Sequence, residues 1–88
     1  MDIQKKSTAG TLESCDCFVM VQPHGSLEIR LDSVVEKRYG DYLYQIIRQT
    51  IEELDVHRGL FMITDRGALD YCVKARITTA VNRGQEKC

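Results

Sequence analysis

The sequence predicts a small α+β domain, a two-layer sandwich in which one sheet carries both helices on a single face. Its 88 residues allow one hydrophobic core but not two. The hydrophobic fraction of 43% and the charged fraction of 28% are typical of a folded globular domain. Along the chain, apolar residues change twice from the spacing of a strand to that of a helix. This pattern predicts the element order β-β-α-β-α.

We expect a single domain over residues 9–84, placed between two tails. Residues 1–8 are polar and show no apolar periodicity, which predicts a flexible N-terminal tail. Residues 85–88 follow the last apolar position of the domain and predict a short C-terminal tail.

The first half of the domain predicts a β-hairpin. Residues 17–21 are rich in β-forming side chains, and residues 27–32 alternate apolar with charged side chains. Between them, residues 22–26 include Pro23 and Gly25, which favour a turn. We therefore expect the two strands to pair directly, with one face of the second strand in water.

A helix is predicted to begin near Ser33. Residues 33–36 have the Ser-x-x-Glu form of a capping box, in which both side chains bond free backbone N–H groups at a helix start. Gly40 weakens this helix by about 1 kcal/mol relative to alanine, so it could break there. The helix has one apolar stripe, formed by Val35, Tyr39, Leu43, Ile46, Ile47, Thr50, Ile51 and Leu54.

A third strand and a second helix complete the domain. Residues 60–64 form an apolar run of strand length, and residues 65–67 follow as a turn. We expect Gly67 to adopt a backbone conformation that a β-carbon disfavours. The second helix has an apolar stripe of Leu69, Cys72, Val73, Ile77, Ala80 and Val81. Because a helix lies between the second and third strands, these strands should run parallel in one sheet.

Charge and hydropathy exclude two classes of partner. Twelve Lys and Arg residues against thirteen Asp and Glu residues leave a formal net charge of −1, so no positive field favours nucleic acid. The longest uncharged stretch, residues 17–27, is shorter than the roughly 20 residues of a membrane span. No apolar segment follows the N-terminal lysines, so a signal peptide is not predicted and we expect a cytoplasmic protein.

The cysteines do not predict a disulfide framework or a metal site. Without a predicted export signal, Cys15, Cys17, Cys72 and Cys88 are expected to be reduced thiols. Their spacing lacks the pairs separated by two residues that are typical of zinc ligands, so no metal is predicted. The pair Cys15 and Cys17 leaves open a small redox or metal protein.

The segment from Ala9 to Asp16 is unusual because it combines small residues with one serine between two carboxylates. Ser14 lies between Glu13 and Asp16 just before the first predicted strand. By itself this pattern is typical of an exposed serine in a local turn. Nothing in the sequence places His24 or His57 beside a serine or cysteine that it could activate, and no catalytic residue is predicted.

Three segments of the chain resemble the acyl carrier subunit of citrate lyase, its gamma chain. Residues 9–16 resemble the sequence to which that family attaches its prosthetic group. Residues 33–41 are similar to its Val-(Glu/Lys)-Lys-x-(Phe/Tyr)-Gly segment, and residues 65–70 to its Asp-(Lys/Arg)-Gly-Ala-Leu-Asp segment. Two positions depart from the family pattern: Cys15 stands where a small residue is usual, and Cys17 where an aliphatic one is usual.

The resemblance implies that Ser14 carries a phosphoribosyl-dephospho-CoA group through a phosphodiester, and that the chain alone catalyses nothing. The thiol of that group would carry acetyl and citryl units. The implied partners are the citrate lyase alpha subunit, an acyl transferase, and the beta subunit, a citryl lyase. A prosthetic-group transferase that modifies Ser14 is the third. No nucleic acid and no membrane are expected.

Three other interpretations remain open beside the redox hypothesis. The acyl carrier of malonate decarboxylase bears a similar group, although Glu13-Ser14 and residues 65–70 favour the citrate enzyme. A fatty-acid carrier fits less well, because the chain lacks its Asp-Ser-Leu motif and predicts strands. From a different class, the chain could be an unmodified α+β interaction module.

Overall fold

The computed structural model describes residues 1–34 and 37–85 and confirms the α+β class. In this part of the chain the element order is β-β-β-α-β-α, one strand more than predicted. The elements are β1 (Ser7–Gly10), β2 (Cys17–Gln22), β3 (Leu27–Ser33), α1 (Lys37–Glu53), β4 (Gly59–Asp65) and α2 (Asp70–Gln85). No helix among them is long and apolar enough to cross a membrane.

The four strands form one sheet in the order β1-β2-β4-β3. Strands β3 and β4 are parallel, as predicted, whereas β2 is antiparallel to β4. The predicted hairpin between β2 and β3 is wrong, because β4 lies between them. The observed order places β4, the strand with the most buried residues, inside the sheet, and leaves β3 with its charged residues at the edge.

The prediction of a flexible tail over residues 1–8 is wrong. Strand β1 begins at Ser7 and pairs antiparallel with β2. Ile3 is only 4% exposed within the core, and its N–H donates to the carbonyl of Arg58 at 2.9 Å. The first residues therefore pack onto the domain that they were expected to precede.

The predicted capping box and the predicted C-terminal tail lie partly outside the described residues. Ser33, the first residue of the predicted capping box, is the last residue of β3, and residues 35–36 lie outside the description. Helix α1 continues through Gly40 without a break. Gln85 belongs to α2 rather than to a tail, and residues 86–88, with Cys88, lie outside the description.

Both helices cover the same face of the sheet, and one core cluster joins them to it. The strand residues of this face are fully or almost fully buried: Ala9, Cys17, Val19, Val21, Phe61 and Ile63. The helices contribute Leu43, Ile47, Ile51, Val73, Ile77, Ala80 and Val81. On the other face, half-buried side chains alternate with the core positions along β2.

The strand directions bring several connections to the same end of the sheet. Cys17 is paired with Asp65, and so is Ser33, so β2 begins where β3 and β4 end. Residues 11–16, between β1 and β2, and residues 66–69, between β4 and α2, therefore lie close together. We call these two connections, with Val34 after β3, the first turn of α2 and Tyr42 of α1, which contacts Asp70, the Ser14 end.

Candidate functional site: an exposed serine on an anchored loop

Ser14 lies on the short loop of residues 11–16 that joins β1 to β2, and its side chain is exposed. The loop starts at Gly10, whose φ of +92° lies in the region that favours glycine. A β-carbon at Gly10 would collide with the carbonyl oxygen of Cys17. Glycine therefore permits the tight reversal that presents Ser14.

The loop closes on itself through Thr11 and a β-turn. The N–H of Asp16 donates to the carbonyl of Glu13 at 3.2 Å, which places Ser14 and Cys15 at the two central positions of the turn. Cys15 has a φ of 64°, which suits the third position of a type II turn but is costly for a residue with a β-carbon. The Thr11 hydroxyl accepts from the N–H of Glu13 at 3.2 Å.

Backbone hydrogen bonds fix this turn to the end of β4. The N–H of Cys15 donates to the carbonyl of Arg66 at 2.8 Å, and the N–H of Arg66 donates to the carbonyl of Asp16 at 2.9 Å. Two residues, Cys15 and Asp16, thus oppose the single residue Arg66, which is the pattern of a β-bulge at the end of the ladder between β2 and β4. Only the central part of the loop therefore projects beyond the sheet.

Asp16 is the side chain that organises the loop. Its carboxylate accepts from the Thr11 hydroxyl at 2.7 Å and from the N–H of Cys17 at 2.7 Å. Arg76 on α2 donates to both carboxylate oxygens at 3.1 Å, a bidentate ion pair. The Thr11 hydrogen bond, then that of Arg76 and that of the Cys17 N–H, hold the pKa of Asp16 well below its usual range.

A second carboxylate, Asp65, holds the neighbouring connection. Its side chain is fully buried and accepts from the N–H of Ala68 at 2.9 Å and from the Ser33 hydroxyl at 2.8 Å. Its carbonyl accepts from the N–H of Val34 at 3.3 Å. Gly67, between these contacts, has a φ of +94°, which confirms the predicted conformation. Asp65 thus ties together the ends of β3 and β4 and the start of α2.

The thiols near the loop differ in exposure. Cys17 is fully buried, and desolvation, followed by the nearby Cys72, Asp16 and Asp65, raises its pKa to about 12. Cys15 is exposed in the turn. Because one thiol is buried and stays protonated while the other faces solvent, this arrangement does not favour the redox hypothesis for the pair.

Asp16, Cys17 and Cys72 have ligand atoms within 4.8 Å of one another, a spacing that could hold a cation. The chemistry of the three groups does not suit one. The Asp16 carboxylate is already paired with the Arg76 guanidinium, and the Cys17 side chain is fully buried in the core. We therefore assign these residues to the support of the loop.

Neither histidine contributes to this site. His24 lies in the connection after β2, with its Nε2 3.7 Å from a Glu28 oxygen, and His57 lies after α1, with its Nε2 2.9 Å from an Asp55 oxygen. Both positions are at the end of the sheet opposite Ser14, in exposed loops as predicted. In the described part of the chain, no hydrogen bond or ion pair holds the Ser14 side chain.

The sequence singles out Ser14 as a candidate attachment residue, but it does not indicate the residues that support its loop. It shows Asp16 only as a flanking carboxylate, and Arg76 lies 60 residues away from it. Arg76 stands off the predicted apolar stripe of α2, which indicates an exposed or paired cation but not its partner. Likewise, residues 65–67 predicted a turn, but nothing indicated that the Asp65 side chain is buried.

Comparisons with known proteins agree in family and in fold. The family model described as "ACP: Malonate decarboxylase delta subunit (MdcD)" matches residues 4–84. The citrate lyase acyl carrier protein of Clostridium perfringens (strain 13 / Type A) is 41% identical over 88 residues, covering 98% of this chain and 87% of that protein. The citrate lyase acyl carrier protein of Treponema denticola is 37% identical over 87 residues, covering 99% of this chain and 100% of that protein.

A solved structure has the same fold. It is a chain from the crystal structure of a Pseudomonas malonate decarboxylase hetero-tetramer in complex with malonate, with a TM-score of 0.78 and 16% identity. The match covers 93% of this chain and 86% of that chain. The protein is therefore an acyl carrier protein, a non-catalytic carrier subunit, and it belongs to the citrate lyase acyl carrier protein family.

Proposed function

We propose that this protein is the acyl carrier subunit of citrate lyase and that Ser14 carries a phosphoribosyl-dephospho-CoA group through a phosphodiester. The observation that carries the proposal is the contrast between Ser14 and its neighbours. Ser14 exposes a hydroxyl with no hydrogen-bond partner among the described residues, whereas Thr11 and Asp16 beside it are bonded within the loop. A covalent attachment point needs such a free, accessible hydroxyl.

Attachment joins the Ser14 Oγ to the phosphorus of a donor in which that phosphate also bears a leaving group. The Oγ–P bond forms, the bond from phosphorus to the leaving group breaks, and the serine proton must pass to a base. Asp16 does not serve as that base, because Thr11 and Arg76 hold its pKa well below the usual range. We propose that the modifying transferase supplies the base.

The attached group supplies a terminal thiol that holds an acetyl or citryl unit as a thioester. The contribution of this chain is positional. Gly10 permits the reversal, Asp16 and Arg76 brace the loop, and Ser14 points the arm away from the sheet. A tethered thiol meets each partner at high local concentration without leaving the complex.

The partners in this proposal are three. The alpha subunit exchanges acetyl for citryl on the thiol, and the beta subunit cleaves the citryl unit into oxaloacetate and the acetyl carrier. The transferase that modifies Ser14 acts before either. We propose the cytoplasm as the location in which they meet.

The proposal is tested by the intact mass of the protein purified from its native host. We expect an adduct with the mass of phosphoribosyl-dephospho-CoA, and its complete loss in Ser14→Ala. The matched control is Ser26→Ala, which removes another exposed loop hydroxyl at the opposite end of the sheet and should keep the adduct. Both variants should stay within about 0.5 kcal/mol of the wild-type stability.

Each other outcome points to a different conclusion. An adduct on the Ser14→Ala chain would place the attachment elsewhere. An unmodified chain from a host that cleaves citrate would favour an interaction module instead.

A carrier for malonate decarboxylase is the second candidate, and two findings favour it. The matching family model bears that enzyme's name, and the solved structure with the same fold comes from that enzyme. Reconstitution separates the candidates. The modified carrier is added to citrate lyase alpha and beta subunits, or to a malonate decarboxylase that lacks its carrier, and the release of oxaloacetate or of carbon dioxide is measured. We expect oxaloacetate release.

A further inference from the structure

Large exposed apolar side chains are concentrated at the Ser14 end. Five of the eight such residues in the described part of the chain lie there. We call them the apolar collar, and they are Leu12, Val34, Tyr42, Leu69 and Tyr71. The most exposed is Tyr71, at 68%, and Leu12 on the Ser14 loop itself is 57% exposed.

Two hydrogen bonds relate the segments that carry the collar to one another and to the Ser14 loop. The hydroxyl of Tyr42 donates to an Asp70 carboxylate oxygen at 3.2 Å, which brings α1 to the point where α2 begins. Asp70 stands between Leu69 and Tyr71 in the chain. The connection that carries Leu69 is fixed to the Ser14 loop by the hydrogen bond from Cys15 to Arg66. The collar residues therefore lie on elements that meet at the same end of the sheet as Ser14.

The collar does not stabilise the isolated domain, because its side chains remain largely in water. Grouped exposed apolar residues indicate a surface that another molecule covers, and tyrosine is among the residues that contribute most at protein interfaces. A partner for this surface needs an apolar hollow that receives Leu12 and Tyr71.

The distance from Ser14 at which each proposed partner acts favours one of them as the partner of the collar. This argument rests on the proposed function. The enzyme that forms the bond at the Ser14 Oγ must bring its catalytic groups to that atom, so it must cover the surrounding surface. The citrate-cleaving subunits act on the thiol at the far end of the arm, so their active sites can work at a distance from the loop. We propose that the apolar collar is the surface by which the prosthetic-group transferase recognises this carrier.

The test is the rate at which purified transferase and its activated donor modify the unmodified carrier, followed by intact mass. The test variant is Leu12→Ser with Tyr71→Ser. The matched control is Leu27→Ser with Tyr44→Ser, which removes two exposed apolar side chains outside the collar. We expect kcat/KM to fall about tenfold or more in the test variant and to stay within about twofold of wild type in the control. Thermal melts verify that both variants fold.

Other results would overturn the inference. Equal modification of the test and control variants would mean that the transferase does not use the collar. If the test variant, once fully modified, also loses citrate cleavage with the alpha and beta subunits, the collar belongs to those subunits instead. A concentration-dependent dimer in wild type that the test variant lacks would assign the collar to a second copy. Failure of the wild-type chain to be modified at Ser14 would instead reject the proposed function.

Discussion

The two ends of the sheet are built from different interactions. At the Ser14 end, Asp16 and Asp65 hold short connections through buried or half-buried hydrogen bonds, and the apolar collar is left in water. At the opposite end, backbone hydrogen bonds such as the one from Ile3 to the carbonyl of Arg58 hold the connections. The side-chain contacts there are exposed, such as the ion pair of Arg58 with Asp2 at 3.0 Å and the hydrogen bond between His57 and Asp55 at 2.9 Å. Exposed pairs contribute little to stability, whereas bonded carboxylates with little exposure fix local geometry. The comparison shows that low-exposure side-chain hydrogen bonds define the connections at the end of the sheet that holds Ser14, the proposed attachment point.

The largest stability effect is expected from Asp65→Ala. The substitution leaves the N–H of Ala68 and the hydroxyl of Ser33 without their buried acceptor, so we expect a loss of about 3 kcal/mol in the free energy of unfolding. The control at the opposite end is Asp2→Ala, which breaks an exposed ion pair and should cost less than about 1 kcal/mol. Urea denaturation measures both. Equal losses would contradict the difference between the two ends.

The substitution Asp16→Asn tests whether the charge of Asp16 stabilises the Ser14 end, because that contribution should depend on pH. The pKa of Asp16 is lowered in the folded state, so its charge stabilises the fold above its unfolded pKa of about 3.9, and that stability is lost as the pH falls further. We expect the variant to be less stable than wild type at pH 7, by about 1 to 2 kcal/mol. The difference should narrow progressively below about pH 4.

The measurement is urea denaturation of wild type and variant across that pH range. Glu13→Gln is the matched control, because it changes the exposed carboxyl on the other side of Ser14. It should stay close to wild type at neutral pH. A stability difference for Asp16→Asn that does not depend on pH would show that the ion pair with Arg76 is not what holds the loop.

Gly67→Ala compares a turn at each end. The φ of +94° at Gly67 disfavours a β-carbon, although no atom lies within 4 Å of its position, so the cost should come from the backbone alone. We expect a loss of about 1 kcal/mol. Gly25→Ala at the opposite end has the same open surroundings without the positive φ, and should change stability by less than about 0.5 kcal/mol. If both variants melt at the same temperature, the turn at residues 66–69 is not conformationally demanding.

The smallest effect is expected from Cys15→Gly. Glycine relieves the φ of 64° at the third position of the turn, but it also increases the entropy of the unfolded chain. We expect a net gain of up to about 0.5 kcal/mol and unchanged attachment at Ser14. A clear loss of stability would show that the Cys15 side chain makes a favourable contribution of its own.

Helices and strands with regularly spaced apolar residues could be predicted from the sequence. A strand that exists only because it pairs with a neighbouring strand could not. The stripes of α1 and α2 and the apolar run of β4 were visible because burial selects side chains at fixed intervals. Strand β1 has the sequence Ser-Thr-Ala-Gly, in which one buried alanine gives no alternation, and only its pairing with β2 makes it a strand. Residues 22–26 indicate a connection, but they do not indicate which strand becomes the neighbour.

In the candidate site too, only the features that depend on local sequence could be predicted. Ser14 could be found because its own segment resembles an attachment sequence. The supports of its loop depend on contacts between distant parts of the chain, as between Asp16 and Arg76, 60 residues apart. A carboxylate in a loop looks the same in sequence whether it is solvated or paired, so its role emerges only in three dimensions.

The reciprocal bonds between Cys15, Asp16 and Arg66 give the proposed arm a fixed pivot. All travel of the thiol must then come from the rotatable bonds of the prosthetic group, which confine it to a sphere centred on Ser14. If the Ser14 loop moved, its displacement would add to the distance that the thiol can reach. The accessible volume grows with the cube of that distance, so the local concentration of the thioester at each active site would fall. A rigid turn therefore keeps the local concentration of the acyl thioester high. It also means that every active site that the thiol visits must lie within one prosthetic-group length of Ser14.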